Sequence, residues 1–344
     1  MNIQSAIAAA IDGISLDTDS MVAVMRQIMT GECSDAQIAG FLVALRMKGE
    51  TIEEITGAAK VMRELALPVS VSGDHLVDIV GTGGDGISTF NVSTASTFVA
   101  AAAGCQVAKH GNRSVSSNSG AADLLEAAGV RLDINPKQVA RCIEHVGVGF
   151  MFALNHHSAM RFAIGPRKEL ATRTLFNLLG PITNPAGVKN QLVGVFSRKW
   201  VRPIAEVLRD LGSEHILVVH SADGLDEISI ASETYVAELK HGEINEYVIT
   251  PEQFGIERSQ LDGLKVVNAE ESLALIKALL SGETSAAGDI VALNAGAAIY
   301  ASNVASTLEE GVSRAQDVLG SGAGLDKLKE LAQVTQLMKE SSND

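Results

Sequence analysis

The strongest constraint on the fold is a change of hydrophobic period at Pro68. Upstream of it, apolar residues recur only at helical spacing: Met21, Val22, Met25, Ile28 and Met29 make one stripe, Ile38, Phe41, Leu42 and Leu45 a second, and Ile55, Ala59, Met62 and Leu65 a third. Residues three and four apart share one face of a helix, so each stripe reads as a packing surface and its methionines as core filler. Ser34 with Gln37, and Thr51 with Glu54, are spaced as capping boxes. In that motif each side chain meets a backbone N–H that the first helical turn leaves without a partner, which places two helix starts.

Downstream of Pro68 short apolar runs alternate with helical stretches, as a parallel sheet with crossover helices requires. The predicted strands are Leu76 to Val80, Gln106 to Lys109, Val148 to Phe152, Gln191 to Phe196 and Ile216 to His220. Asn135-Pro136 with Gln138 opens one of the intervening helices, with cap and first-turn proline in favoured places. Residues 233–250 alternate polar and apolar around His241-Gly242, the pattern of an antiparallel hairpin at a sheet edge, and the tail from Ala269 returns to helix. The class expected is α/β: a small N-terminal all-helical domain, residues 1–68, and a larger α/β domain, residues 69–344, with a mostly parallel central sheet.

The turn after the first strand reads Gly81-Thr-Gly-Gly-Asp-Gly86 and runs through Ser88-Thr-Phe-Asn-Val-Ser-Thr94 into a helix. Glycines let backbone N–H groups face an anion with no Cβ in the way, and a helix start adds partial positive charge, so this is a candidate phosphate cradle. The stretch also fits a dinucleotide fingerprint, but that motif needs an acidic residue about twenty positions on, and residues 97–109 hold neither Asp nor Glu. A nucleotide P-loop is excluded because no Gly-Lys-Ser/Thr follows a glycine turn.

The net charge is −14, so an anionic substrate needs a local cationic pocket or a metal ion, and general nucleic-acid binding is disfavoured. The second strand supplies the cations: Lys109-His-Gly-Asn-Arg113, followed by Ser114-Val-Ser-Ser117. Lys109 and Arg113 can hold a diphosphate, with Ser116 and Ser117 as hydroxyl donors. Asp226-Glu227 follows the fifth strand. It reads equally as an exposed acidic turn or as a pair of hard oxygen ligands for Mg²⁺ beside a diphosphate. His156 and His157 point in different directions if helical, so one histidine lining a pocket is expected rather than a shared metal, and His215 and His220 read as structural. Cys33, Cys105 and Cys142 form no C-x-x-C and read as core thiols of a reducing compartment. Residues 1–13 lack a basic flank before a short apolar run, and no run approaches a membrane span, so a cytoplasmic protein is expected.

Taken together, Gly81-Thr-Gly-Gly-Asp85, Asn91-Val-Ser-Thr94, Lys109-His-Gly-Asn-Arg113, Phe176-Asn-Leu-Leu-Gly-Pro-Ile-Thr-Asn-Pro185 and Asp226-Glu227 resemble the anthranilate phosphoribosyltransferase family over nearly the full chain. The resemblance implies a cleft between the two domains, helices from about 160–188 joining the small domain, a homodimer formed through the helical part, and two Mg²⁺ ions per subunit. It assigns donor contacts to Gly81, Gly84, Asp85, Thr89, Asn91, Val92, Ser93, Thr94, Lys109, His110, Gly111, Asn112, Arg113, Ser114, Val115, Ser116, Ser117 and Ala121, with Lys109, Asn112 and Arg113 catalytic. Gly81, Asn112, His157, Arg167 and Gly180 would line the anthranilate site, and Ser93, Asp226 and Glu227 would contact metal. Two departures, Ser158 where the family reads Pro and Leu154 where Pro is common, bear on the loop geometry near the acceptor. The alternatives are a pyrimidine nucleoside phosphorylase and a non-catalytic, nucleic-acid-binding relative of the fold.

Overall fold

The structure, a computed structural model, describes residues 1–113 and 119–340. Its first four elements are helices: α1 (Ile3–Ile11), α2 (Thr18–Thr30), α3 (Asp35–Lys48) and α4 (Ile52–Glu64). Both predicted capping boxes are formed at α3 and α4. Glu54 goes further than its cap: wholly buried, it accepts the Leu16 and Thr51 N–H groups and the Lys48 ammonium, each at 2.9 Å. A carboxylate that deep is tolerable because its oxygens are satisfied. The three stripes face one another in the core, with Val22 and Leu65 half-buried at its rim.

The rest of the chain runs β1 (Leu76–Gly81), α5 (Val92–Ala102), β2 (Gln106–Gly111), α6 (Ala121–Ala127), α7 (Pro136–Val146), β3 (Val148–Phe152), a single turn α8 (Ala153–His156), α9 (Arg161–Leu170) and α10 (Leu175–Ile182). It continues through β4 (Asn190–Gly194), α11 (Val201–Asp210), β5 (His215–Ser221), β6 (Thr234–Lys240) and β7 (Glu243–Ile249) to α12 (Ala269–Leu280), α13 (Ala286–Ala301), α14 (Leu308–Ser321) and α15 (Ala323–Glu340). The strands form one sheet in the order β3-β2-β1-β4-β5-β6-β7. The first five strands are parallel; β6 and β7 add an antiparallel edge through a turn at His241 and Gly242, both at positive φ, as predicted. One strand ends early. The strand predicted to reach Phe196 spans Asn190–Gly194; the Val195 N–H makes one more bond to Val219 O of β5 at 2.9 Å, and the Phe196 N–H then turns to the Thr82 hydroxyl at 2.9 Å.

This order matters for the site. From β1 the chain moves to β2 and β3 on one side, then returns to β4 on the other, so the crossovers diverge at β1 and leave a crevice at the carboxyl ends of β1 and β4. One apolar core lies between the sheet and α5, α7 and α12 to α15; the other joins α1 to α4 with α9, α10, α11 and residues of β4, β5 and β6. Helices α9 and α10, late in the sequence, thus pack on α3 and α4 beside the crevice. Among the described residues no helix is long and apolar enough to cross a membrane. The three cysteines are free, Cys105 and Cys142 buried and Cys33 half-buried.

Candidate active site

The glycine turn closes on a residue distant in sequence. The Thr82 N–H donates to Gly194 O at 3.0 Å, and the Gly83 N–H donates to Asp226 Oδ2 at 2.7 Å. Asp226 lies so tightly against the ends of β1 and β4 that a Cβ on Gly194 would stand 1.5 Å from its carbonyl oxygen and one on Gly81 2.4 Å from its Oδ2. Beyond, Gly83, Gly84 and Gly86 all take positive φ, a path open to glycine and not to larger residues. Asp85 folds back to accept the Ile87 N–H at 3.2 Å, and Thr89 bridges to Lys265.

Helix α5 then begins with no side-chain cap of its own. Glu227 takes that place, its Oε1 accepting the Ser93 N–H at 3.2 Å, where the helix start favours negative charge. Lys109 reaches the same point from β2. Its ammonium donates to Ile79 O at 2.6 Å and to Ser93 Oγ at 3.3 Å, almost wholly buried. Asn91 is clamped by Ser119 and Ser272, Val92 is buried, and the buried Thr94 hydroxyl has no partner among the described residues.

The charges are frustrated. Burial, then the neighbouring Asp85, pushes Asp226 up to about 6, and burial with Asp226 and Asp85 pushes Glu227 well above the usual carboxylate range. Burial lowers Lys109 to about 8, opposed by Asp78 and Glu227, so it is still charged at neutral pH. Three carboxylates crowd a site with one ammonium, a set of hard oxygen donors suited to Mg²⁺. Among the described residues no group of three or more His, Cys, Asp or Glu side chains is arranged to hold a metal unaided. Phosphate oxygens and water would have to complete any coordination sphere. Asp226 is buried, so the exposed-turn reading of this pair is set aside.

At the end of β2, His110 faces His157 with ring centroids 5.1 Å apart, and among the described residues neither Nε2 has a partner. Burial lowers His110 to about 3 and His157 to about 4, so both are neutral at pH 7. His110 also hydrogen-bonds the Gly180 backbone, which ties α10 to β2. His156 turns the other way, to Leu67 O at 2.8 Å, so the adjacent pair does not share a ligand. Arg167, in the last turn of α9, lies 5.2 Å over the Phe176 ring with its basicity lowered by burial. Among the described residues no acidic side chain pairs with it. Gly111 abuts Ala121, and Asn112 O accepts the Ala122 N–H at 3.2 Å. Arg113 is exposed and paired with Asp123 at 2.9 Å and Glu126 at 2.5 Å, not with Lys109's surroundings. Ser114, Val115, Ser116 and Ser117 lie outside the described residues.

Three further residues belong to the site. Asp78, buried in β1, accepts the His110 N–H at 3.2 Å and the Asn184 amide at 2.8 Å, which ties the strand carrying Lys109 to the segment after α10. A charge inside an apolar strand was the available signal. Gly194 had the weaker signal of a glycine closing an apolar run. Arg173, which donates to Gly84 O from the loop after α9, had none.

This arrangement places the chain among glycosyl transferases: residues 4–66 match the helical bundle domain of that family and residues 73–325 its a/b domain. Within that class the chain belongs to the anthranilate phosphoribosyltransferase family. It is 63% identical to the Chromohalobacter salexigens anthranilate phosphoribosyltransferase over 338 residues, 98% of each chain, and 60% identical to that of Cellvibrio japonicus over 343 residues, 98% of this chain and 100% of the relative. The crystal structure of the Thermus thermophilus enzyme superposes with a TM-score of 0.91 at 46% identity, covering 96% of this chain and 99% of that one. The Saccharomyces cerevisiae enzyme in complex with PRPP and Mg superposes at 0.89 with 26% identity, over 97% and 98% of the two chains.

Proposed function

We propose that this chain transfers the phosphoribosyl group of phosphoribosyl diphosphate to the amine of anthranilate, giving N-(phosphoribosyl)anthranilate and diphosphate in L-tryptophan biosynthesis. The observation that carries the reading is the convergence of Asp85, Asp226, Glu227 and Lys109 on the glycine turn and the start of α5. The donor lies along residues 81–94 and the end of β2, with Lys109 and Ser93 toward its diphosphate. Ser93, Asp226 and Glu227 would hold Mg²⁺, two ions per subunit, and the bound metal would supply positive charge to offset that of the departing diphosphate. Lys109, charged at neutral pH, adds to it, and the acceptor amine attacks the developing cationic ribose carbon. No protein nucleophile is needed, so the residues act by positioning and electrostatics.

Arg167 takes the anthranilate carboxylate, and the neutral His110 and His157 rings line the aromatic group without adding a competing charge. Asn112 and Gly180 complete that side; Arg113 reaches the donor only by leaving Asp123 and Glu126. Residues 1–68 with about 160–188 act as one body and the rest of the chain as the other, in a cytoplasmic homodimer formed through the helical part. Mixing the protein with anthranilate, phosphoribosyl diphosphate and Mg²⁺ should quench anthranilate fluorescence, and Arg167→Ala should raise the anthranilate KM about thirtyfold with the donor KM little changed. Phosphorolysis of thymidine with no loss of anthranilate would replace this reading with a nucleoside phosphorylase.

A further inference from the structure

The four-residue connection between α9 and α10, residues 171–174, is supported from beneath and reaches outward. Arg46, in the last turn of α3, donates to the Thr172 hydroxyl and, at 2.5 Å, to the Arg173 carbonyl. Thr174 caps α10 by donating its N–H to Asn177 Oδ1 at 2.9 Å. From this platform the Arg173 side chain crosses to the α/β domain. Its guanidinium donates to Gly84 O and lies 4.4 Å over the ring of Phe196, the residue whose N–H is bonded to Thr82. Among the described residues no acidic side chain pairs with Arg173, although its charge is felt at Asp226.

An exposed arginine normally spreads over many rotamers, and holding it in one place costs entropy. Here it is held at one edge by the bond to Gly84 O and on one face by the Phe196 ring, against a turn with glycines at 83, 84 and 86 all at positive φ. Such a turn loses more backbone freedom on ordering than any other residue type would, so an outside contact that preselects one shape spares the donor that cost. Asp226 holds the neighbouring Gly83 N–H, but that carboxylate is needed elsewhere when the donor binds. Arg173 holds the turn by its carbonyl side.

We propose that Arg173 is a positioning residue for the sugar-diphosphate donor, which ties the α9–α10 loop across the cleft to Gly84 and so keeps the glycine turn in its donor-accepting shape. The inference rests on the proposed function above. Failure of that reading shows in the unmodified enzyme; failure of this one shows only in the variants. Steady-state kinetics with each substrate varied in turn test it. Arg173→Gln should raise the donor KM about tenfold, with kcat and the anthranilate KM within about twofold, and Arg173→Lys should fall between. Phe196→Leu, which removes the stacking surface but not the guanidinium, should show the same selectivity at smaller size. An unchanged donor KM overturns the proposal. So does a kcat loss equal to the KM rise, which would make Arg173 a contact to the leaving group, and so does an equal rise in both KM values, which would mean general loosening.

Discussion

Strand β5 has a carboxylate system toward each end, and the two are built on opposite plans. Toward its amino end, Glu238 of β6 accepts the Tyr300 hydroxyl at 2.6 Å, the Tyr247 hydroxyl at 2.9 Å and His215 Nε2 at 3.2 Å. Burial alone would raise it, but hydrogen bonds from His215, Tyr300 and Tyr247 outweigh burial and hold it down to about 2. At its carboxyl end, Asp226 and Glu227 are buried, face Asp85 and are met by backbone N–H groups, with no hydroxyl or imidazole donor among the described residues, so both are raised. A structural carboxylate is surrounded with donors; a carboxylate meant for a cation is left short of them. The direction of the shift, more than its presence, separates scaffold from site.

The largest effect should come from exchanging the two ends. Glu227→Gln should lower kcat/KM by about 10² to 10³, the scale of losing one electrostatic group from an active site, while the metal-free protein melts at the same or a higher temperature. Removing a buried charge that is met by one backbone N–H and crowded by other carboxylates relieves the fold. Glu238→Gln should do the reverse: kcat/KM stays within about twofold, and stability falls by about 1–3 kcal/mol as hydroxyl and imidazole donors lose a charged acceptor. Thermal melts beside initial rates check both. A Glu227→Gln protein that melts early and keeps its rate would erase the distinction.

How much of this was readable beforehand depends on whether the cause is local. The capping boxes at Ser34 and Thr51 and the cap at Asn135 are formed because cap and partner are three residues apart. Five parallel strands were legible because each is a bounded apolar run. Side-chain destinations were not. Lys109 and Arg113 carry the same charge four residues apart, yet Lys109 is still in β2, where the strand aims it at Ser93, while Arg113 lies past Gly111 and pairs with Asp123 and Glu126 on α6. Asp78 could be noticed, but its partner Asn184 is 106 residues away. Arg173 sits in a loop, where no periodicity states a direction.

The next effect is a dependence on pH that differs in sign between the two ends. Asp226 is raised from 3.8 to about 6, so its contribution to stability is fully present below 3.8 and is lost as pH rises through about 6. Glu238 is lowered from 4.5 to about 2, so its contribution is present above 4.5 and is lost as pH falls toward 2. The whole curve also contains His110 and His157, lowered from 6.5 to about 3 and about 4, which remove stability as pH falls below 6.5. The clean reading is therefore a difference from a variant. Without Mg²⁺, the wild type should gain on Asp226→Asn by about 1–3 kcal/mol between neutral pH and pH 4. Its advantage over Glu238→Gln should shrink below pH 4.5. Mg²⁺ with diphosphate should flatten the first difference and leave the second. A first difference that ignores both pH and Mg²⁺ would mean Asp226 is no more frustrated than Glu238.

The smallest effect tests whether the amino-end system is as self-contained as its geometry. Among the described residues the Tyr300 hydroxyl has two partners, donating to Glu238 and accepting the Lys240 ammonium at 3.0 Å, whereas the Tyr247 hydroxyl bonds only Glu238. Tyr247→Phe removes one donor and leaves Tyr300 and His215 in place, so stability should fall by about 0.5–1.5 kcal/mol, less than for Tyr300→Phe. Since among the described residues no bond in this group reaches Asp226 or Glu227, the KM values for both substrates should not move. A Tyr247→Phe enzyme with wild-type stability but an altered donor KM would show that strand β5 transmits strain from one carboxylate system to the other, and the two ends would then have to be treated as one.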